Sequence, residues 1–187
     1  MPNRPHLLGI DDGPFDKWRD EQAPIVGVVM EGNDLVEGIA VTRFPVDGPD
    51  VADFLADWVG ALRFRPSLQA VVLGGITIAG LAVVDLPRLS QRLGLPILSV
   101  TRKAPRSSEL EHALQSAGLA DRIALLERSP RAFRVTDHLY AASAGSEPAR
   151  AAKLLAAARR KGELPEPLRL AHLIAAALAT GESRGRA

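Results

Sequence analysis

The sequence predicts a mixed α/β sheet with helices on both faces, and three observations carry that prediction. The first apolar runs follow one another closely and are linked by a hairpin-type turn, as antiparallel strands are. Segments of helical spacing then alternate with short apolar runs, the pattern of parallel βαβ units. The chain closes on two alanine-rich stretches of helical character.

Taken in order, Leu7–Asp11 (LLGID) reads as a buried strand, and Pro14–Pro24 is polar and irregular, with Trp18 inside it. Ile25–Glu31 (IVGVVME) is a second, β-branched strand. Gly32–Asn33–Asp34 suits a hairpin turn, and Leu35–Phe44 is the returning strand, ended by Pro45–Pro49. Asp50 is a candidate N-cap for a helix over Val51–Phe64, where Val51, Phe54, Leu55, Trp58, Val59 and Leu62 recur at helical spacing. Gln69–Leu73 is a short buried strand closed by Gly74–Gly75. Asp85–Gly94 suits a helix with Leu86, Leu89 and Leu93 on one face, and Pro96–Val100 a further buried strand. Ser107–Ala117 is helical, opening on a sequence like a capping box. Ile123–Glu127 and Phe133–Thr136 read as strands, and Glu147–Lys161 and Pro167–Ala179 as helices separated by Gly162 and Pro165.

The first three strands are therefore expected to be antiparallel. This order matches the ribonuclease H-like plan, in which the first strand is central and its acid faces the metals. A doubly wound dinucleotide-binding sheet fits less well, because the first strand leads to a hairpin and not through a G-x-G-x-x-G loop into a helix. With no compositional break, residues 1–187 are expected to form one domain, long enough to bury a real core.

Composition excludes several chemistries. Without cysteine there are no disulfides, zinc–thiolate sites or thiol nucleophiles. No apolar run nears the ~20 residues of a membrane span, and the N-terminus has no secretory h-region, so a cytoplasmic protein without a membrane partner is expected. The net charge of +1 gives no global basic field. Cations are nonetheless clustered, at Arg102–Lys103–Arg106 and at Arg128, Arg131 and Arg134. The first cluster suits phosphate, or is simply a solvated loop.

The residues Asp11–Asp12–Gly13 carry the chemistry. A strand that ends in acids is a way to place a carboxylate for magnesium, which takes one or two carboxylates plus water and substrate phosphate. An acid pair before glycine is equally ordinary turn chemistry. Thr77 and Ser99 stand at strand ends, where a hydroxyl meets phosphate or caps the chain. His138 reads as a surface or capping residue, His172 as a packed or rim residue of the last helix, and His6 and His112 as solvent-exposed.

The segments GIDDGPF (Gly9–Phe15), VVLGGITIAG (Val71–Gly80) and LPEPLRLAHLIA (Leu164–Ala175) together resemble a prokaryotic family known as domain of unknown function 99, a relative of endonuclease V. The resemblance spans Leu7 to Ala187. It implies a ribonuclease H-like fold and magnesium-dependent cleavage of nucleic acid near deaminated bases such as inosine. It matches the first-strand aspartate to Asp11 and the phosphate-contacting basic residue to Arg102. A glutamate expected after the hairpin falls in the region of Asp50 and Asp53. The acid expected after the fourth strand falls on Gly74, and the expected histidine falls near Ala144–Gly145–Ser146, where there is none. Asp12, Asp47, Asp50, Asp53 and Asp85 are candidate relocated acids. The wedge loop keeps Phe44 but no tyrosine.

The expectation is thus a nucleic-acid- or nucleotide-binding protein, a divergent Mg2+-dependent phosphodiesterase. Its catalytic acids are Asp11, Asp12, Asp50 and Asp53, with the metal on Asp11 and Asp12 and phosphate held by Arg102, Lys103 and Thr77. The alternative is a nucleic-acid-binding module that has lost the chemistry. A small-molecule enzyme would need a closed apolar pocket next to Asp11.

Overall fold

A computed structural model describes residues 4–104 and 107–183. Arg106, counted above in a basic cluster, lies outside the described residues, as do residues 184–187.

Three strands come first: β1 (His6–Asp12), β2 (Gln22–Glu31) and β3 (Leu35–Pro45). They are antiparallel neighbours, with Asp12 opposite Ile25 and Ile25 opposite Thr42. Helix α1 (Val51–Gly60) leads through a one-turn 3-10 helix (Arg65–Ser67) to β4 (Ala70–Leu73), which runs parallel to β1 on its other side. A small separate hairpin follows, β5 (Thr77–Ile78) and β6 (Ala82–Val83). Helix α2 (Leu86–Leu93) then leads to β7 (Ile97–Thr101), parallel to β4. After α3 (Ser107–Ser116) and α4 (Ile123–Arg128), strands β8 (Phe133–Thr136) and β9 (Leu139–Ala144) complete the sheet, and α5 (Pro148–Ala157) and α6 (Glu166–Thr180) close the chain. The strand order is β3-β2-β1-β4-β7-β9-β8.

The predicted architecture is present: antiparallel strands first, parallel strands in the middle and helices on both faces. On one face Leu8, Ile10 and Val29 pack with Leu55 and Val59 of α1 and Leu86 and Leu89 of α2. On the other, Leu7, Val72 and Leu98 pack with Leu154 and Leu155 of α5 and Leu168 of α6, while Val26, Val28 and Met30 meet Ala171 and Ala175.

Three local readings need correction. Ile123–Glu127 is helix α4, because Ala, Leu, Glu and Arg favour helix and a short apolar run has no decisive period. The alanine- and serine-rich β9 carries no strand signal in sequence; it is a strand because it is paired on both sides, to β7 and β8, and context overrides its weak β propensity. The hairpin β5–β6 fills what reads as a loop after Gly74–Gly75. Elsewhere Asp85 caps α2 by accepting from Arg88 N at 3.1 Å, as its position suggests. Asp50 does occupy the N-cap position of α1, but in the left-handed region and without a side-chain cap bond.

Helix α6 crosses directly over β1 and β2, and glycine permits it. A Cβ on Gly9 would overlap the Pro167–Leu168 backbone, and one on Gly13 would come within 2.5 Å of Ala175 O. The two glycines flank Asp11 and let α6 lie against the strand without a side-chain layer between them.

Candidate functional site

Side chains alternate across a strand, so Asp11 and Asp12 project from opposite faces of β1. Leu8 and Ile10 face α1 and α2, and Asp12 continues that series; Gly9 lies against α6, and Asp11 continues that one. The parallel strands β1, β4 and β7 end at the same edge of the sheet, bringing Asp11, Gly74 and Thr101–Arg102 together. This is where ligands bind in open α/β sheets.

A cleft of about 330 Å³ opens there, lined by Asp11, Gly74, Thr101, Arg102, Leu168 and His172. His172 Nδ1 lies 2.9 Å from Asp11 Oδ2, the carboxylate accepting, so Nδ1 carries the proton. The imidazole is half-exposed, and its hydrogen bond to Asp11 raises its pKa. Burial and Arg102 oppose that shift, and the charge of Asp11 reinforces it. The other oxygen, Asp11 Oδ1, faces Gly74, where an added Cβ would stand 2.8 Å from it. Gly74, the position on which the family resemblance places an acid, therefore lies immediately against Asp11.

Asp12 has a different fate. Its Oδ2 accepts from Ala79 N at 2.6 Å, anchoring the β5–β6 hairpin to β1. Burial raises its pKa to about 6, the neighbouring charge of Asp11 adding to the effect and the Ala79 N–H opposing it. The other acids considered from sequence also have structural partners. Asp47 Oδ1 accepts from Leu81 N at 2.6 Å. Asp53 receives Arg88 through two bonds of 2.7 Å and Arg92 through one of 3.1 Å, the Arg88 hydrogen bonds leading the fall in its pKa. Asp85 pairs with Arg128 at 2.9 Å besides capping α2. Asp50 is exposed at the start of α1.

Of the expected phosphate contacts, Arg102 lines the Asp11 cleft. Lys103 is exposed beside it, and its carbonyl accepts from Thr101 Oγ1 at 2.8 Å. Thr77 is half-buried on the separate β5–β6 hairpin. No histidine stands near Gly145. A Cβ on Gly145 would overlap Ser90 Oγ, and Gly145 lines a different recess, with Gln91 and Arg150. The histidine beside Asp11 is His172, read from sequence as packing. Its neighbours Leu173 and Ile174 conceal it; the small residues Ala171 and Ala175 around it, the second seated on Gly13, are the available signal.

The larger cavity of about 760 Å³, lined mainly by apolar groups together with Ser99, Thr101 and Tyr140, includes neither Asp11 nor His172. The closed apolar pocket beside Asp11 that a small-molecule enzyme needs is not what lines this site. Among the described residues, the one set of three side chains close enough to share a metal ion is His6, Glu31 and Glu37, at the opposite end of the sheet. No helix among the described residues is long and apolar enough to cross a membrane.

A sheet of this order with an acid at the end of its central first strand defines the endonuclease V-like class of ribonuclease H-like folds. Solved structures agree. The fold is similar to endonuclease V of Ciona intestinalis, determined with inosine-containing DNA (TM-score 0.59, 14% identity, 90% of this chain and 82% of that one), and to endonuclease V of Streptomyces avermitilis (0.57, 19%, 93% and 81%). It is more similar to a protein of unknown function from Archaeoglobus fulgidus (TM-score 0.85, 34% identity, 93% and 98%). The chain belongs to the endonuclease dU family, whose profile matches residues 3–179. UPF0215 proteins of Thermococcus kodakarensis and Methanothermobacter thermautotrophicus are 42% and 37% identical to it, over 95% and 97% of this chain and 94% and 91% of theirs.

Proposed function

We propose that this chain is a magnesium-dependent endonuclease that cleaves a nucleic-acid strand near a deaminated base, deoxyuridine foremost. The observation that carries the reading is the Asp11–His172 pair, 2.9 Å apart in a cleft that also presents Arg102. The family name and the inosine-containing DNA bound by a fold relative support the choice of substrate.

The donor set fits a magnesium ion that keeps most of its waters. Asp11 offers Oδ1 while His172 engages Oδ2, and the remaining positions suit water and a phosphate oxygen. Asp11 would hold the ion through Oδ1. When bound it would polarise the phosphodiester and lower the pKa of an attacking water. The protein's own groups do the rest. Arg102 neutralises and orients the phosphate with its planar fork. Asp11 fixes the tautomer and orientation of His172 by accepting from Nδ1. Nε2 of the same ring is left to exchange a proton with the attacking water or the leaving oxygen. Gly74 lets the backbone after β4 stand close to the reacting phosphate.

Gly74 also favours a second reading, a nucleic-acid-binding module without cleavage, because one carboxylate is a weak counterweight to two metal charges. The two readings separate on end-labelled single- and double-stranded oligonucleotides carrying one deoxyuridine, one inosine or neither. The endonuclease predicts cuts next to the modified base with Mg2+ or Mn2+, none with EDTA, and none for Asp11→Asn. Binding without cleavage on every substrate would select the second reading, and the absence of both would reject the two together.

A further inference from the structure

The opposite end of the sheet carries a constellation that the Asp11 site does not use. We propose that His6, Glu31 and Glu37 form a divalent transition-metal site of the zinc class, which clasps the far ends of β1, β2 and β3.

Three adjacent strands supply the ligands. His6 and Glu31 are direct cross-strand partners and share a face of the sheet. Glu37 reaches them because of an irregularity in the ladder. Val29 pairs with Gly38 but Met30 pairs with Val36, so Glu37 is the extra residue of a β-bulge. In an unbroken ladder Glu37 would stand opposite Met30, whose side chain packs under α6 on the other face. The bulge turns it toward His6 and Glu31 instead.

One separation in the set already has the spacing of two ligands on one metal ion. Ligand atoms of the three residues lie within 4.8 Å of one another, and His6 Nε2 is 3.3 Å from Glu37 Oε2. Two ligands about 2.0–2.1 Å from a tetrahedral zinc stand about 3.3–3.4 Å apart. Glu37 Oε2 is withdrawn from solvent and accepts no hydrogen bond, so it lacks a donor where a cation would sit. The backbone His6 N–H donates to Gln69 Oε1 at 3.0 Å, which holds the start of β1 in place.

Arg4 is the competing cation. Its Nε donates to Glu31 Oε1 at 3.0 Å, and its guanidinium is shared with Asp34, so a metal would compete with Arg4 for Glu31. Glu31, Glu37 and Asp34 stand against Arg4, with Arg160 also within electrostatic reach of Asp34, which leaves a small negative balance that favours a dication. One imidazole with two carboxylates suits zinc better than magnesium, which prefers oxygen alone. Asp11 lies five residues along β1 from His6, about 16 Å at strand rise, so the clasp is structural and separate from the cleft.

The test is calorimetric titration of Zn2+ into the full-length Asp11→Asn variant, which removes the anchor of the other site, with Mg2+ titrated as a control. The expected result is one zinc per chain, no comparable magnesium binding, and an affinity reduced about tenfold or more by either Glu37→Gln or His6→Ala added to that background. Thermal unfolding with and without Zn2+ should show a stabilisation that Glu37→Gln abolishes; circular dichroism establishes that each variant is folded. No zinc binding, or zinc binding that either substitution leaves intact, would overturn the site and leave His6–Glu37 an ordinary ion pair.

Discussion

Asp11 and Asp12 are chain neighbours with identical side chains, yet the two faces of β1 put them to opposite uses. On the α6 face, Asp11 stands in an open cleft with an imidazole at 2.9 Å and a guanidinium nearby. On the other face, Asp12 is largely enclosed, bonded to Ala79 N at 2.6 Å, with burial holding its pKa up at about 6. An acid pair in sequence is therefore not a paired-carboxylate site. Strand alternation separates it into one group available to a ligand and one that fastens a hairpin.

Several experiments act on this contrast. After Asp11 itself, the largest effect is expected at His172. Removing a positioned proton-transfer group typically costs 10²–10⁴-fold in rate, and His172→Ala should slow cleavage of a deoxyuridine-containing strand by about that factor while the protein remains folded. A rate within a factor of three of the parent would remove His172 from the chemistry.

The docking of α6 comes next. Gly9→Val drives a branched side chain into the Pro167–Leu168 backbone, so it should cost about 3 kcal/mol or more, the scale of severe overpacking. Denaturant unfolding measures this. A loss below about 1 kcal/mol would mean that α6 does not lie directly on β1.

Asp12 should respond in the opposite direction. Its folded pKa lies above the ordinary 3.8, so the folded protein holds the proton more tightly than the unfolded chain. Stability from this group is present below about pH 4 and is lost as pH rises toward and through about 6. The full cost at pH 8 is about 2–3 kcal/mol. Asp12→Asn keeps an acceptor for Ala79 N and removes the charge, so it should raise Tm at pH 8 and leave it unchanged near pH 3. Equal Tm values at pH 8 would show that Asp12 is not held in an unfavourable ionised state. His172 adds to the same trend, because its raised pKa gives stability that is present below its ordinary 6.5 and lost as pH rises through the folded value. The parent should therefore weaken between pH 5 and pH 8.

The smallest effect belongs to Arg102. Arg102→Ala should weaken oligonucleotide binding by a similar factor for every sequence and reduce the slope of log affinity against log salt by about one. An unchanged slope would take Arg102 off the phosphate path.

Much of this was readable from the chain. The hairpin of β2 and β3, the strand-end position of Asp11 and the central place of β1 follow from local pattern and strand order, and the nearness of Arg102 from the family resemblance. The rest depends on packing between distant segments. His172 sits in a run of Leu, Ile and Ala that reads as a buried helix face, and only its docking over Gly9 and Gly13 brings the imidazole to Asp11. Asp53 and Asp85 look free in sequence because their arginine partners, Arg88, Arg92 and Arg128, come from separate helices. Helix α4 reads as a strand in sequence because six residues carry no decisive periodicity. Glu37 cannot be placed from sequence because a bulge, which leaves no plain sequence mark, decides which face it joins.

The most direct measurement compares the cleavage rates of Asp11→Asn and Asp12→Asn side by side, on one deoxyuridine-containing strand with saturating Mg2+ at pH 8. A site built on the α6 face predicts that Asp11→Asn falls about 10³-fold or more while Asp12→Asn stays within a few-fold of the parent. Loss of activity in Asp12→Asn, with Asp11→Asn still active, would contradict it.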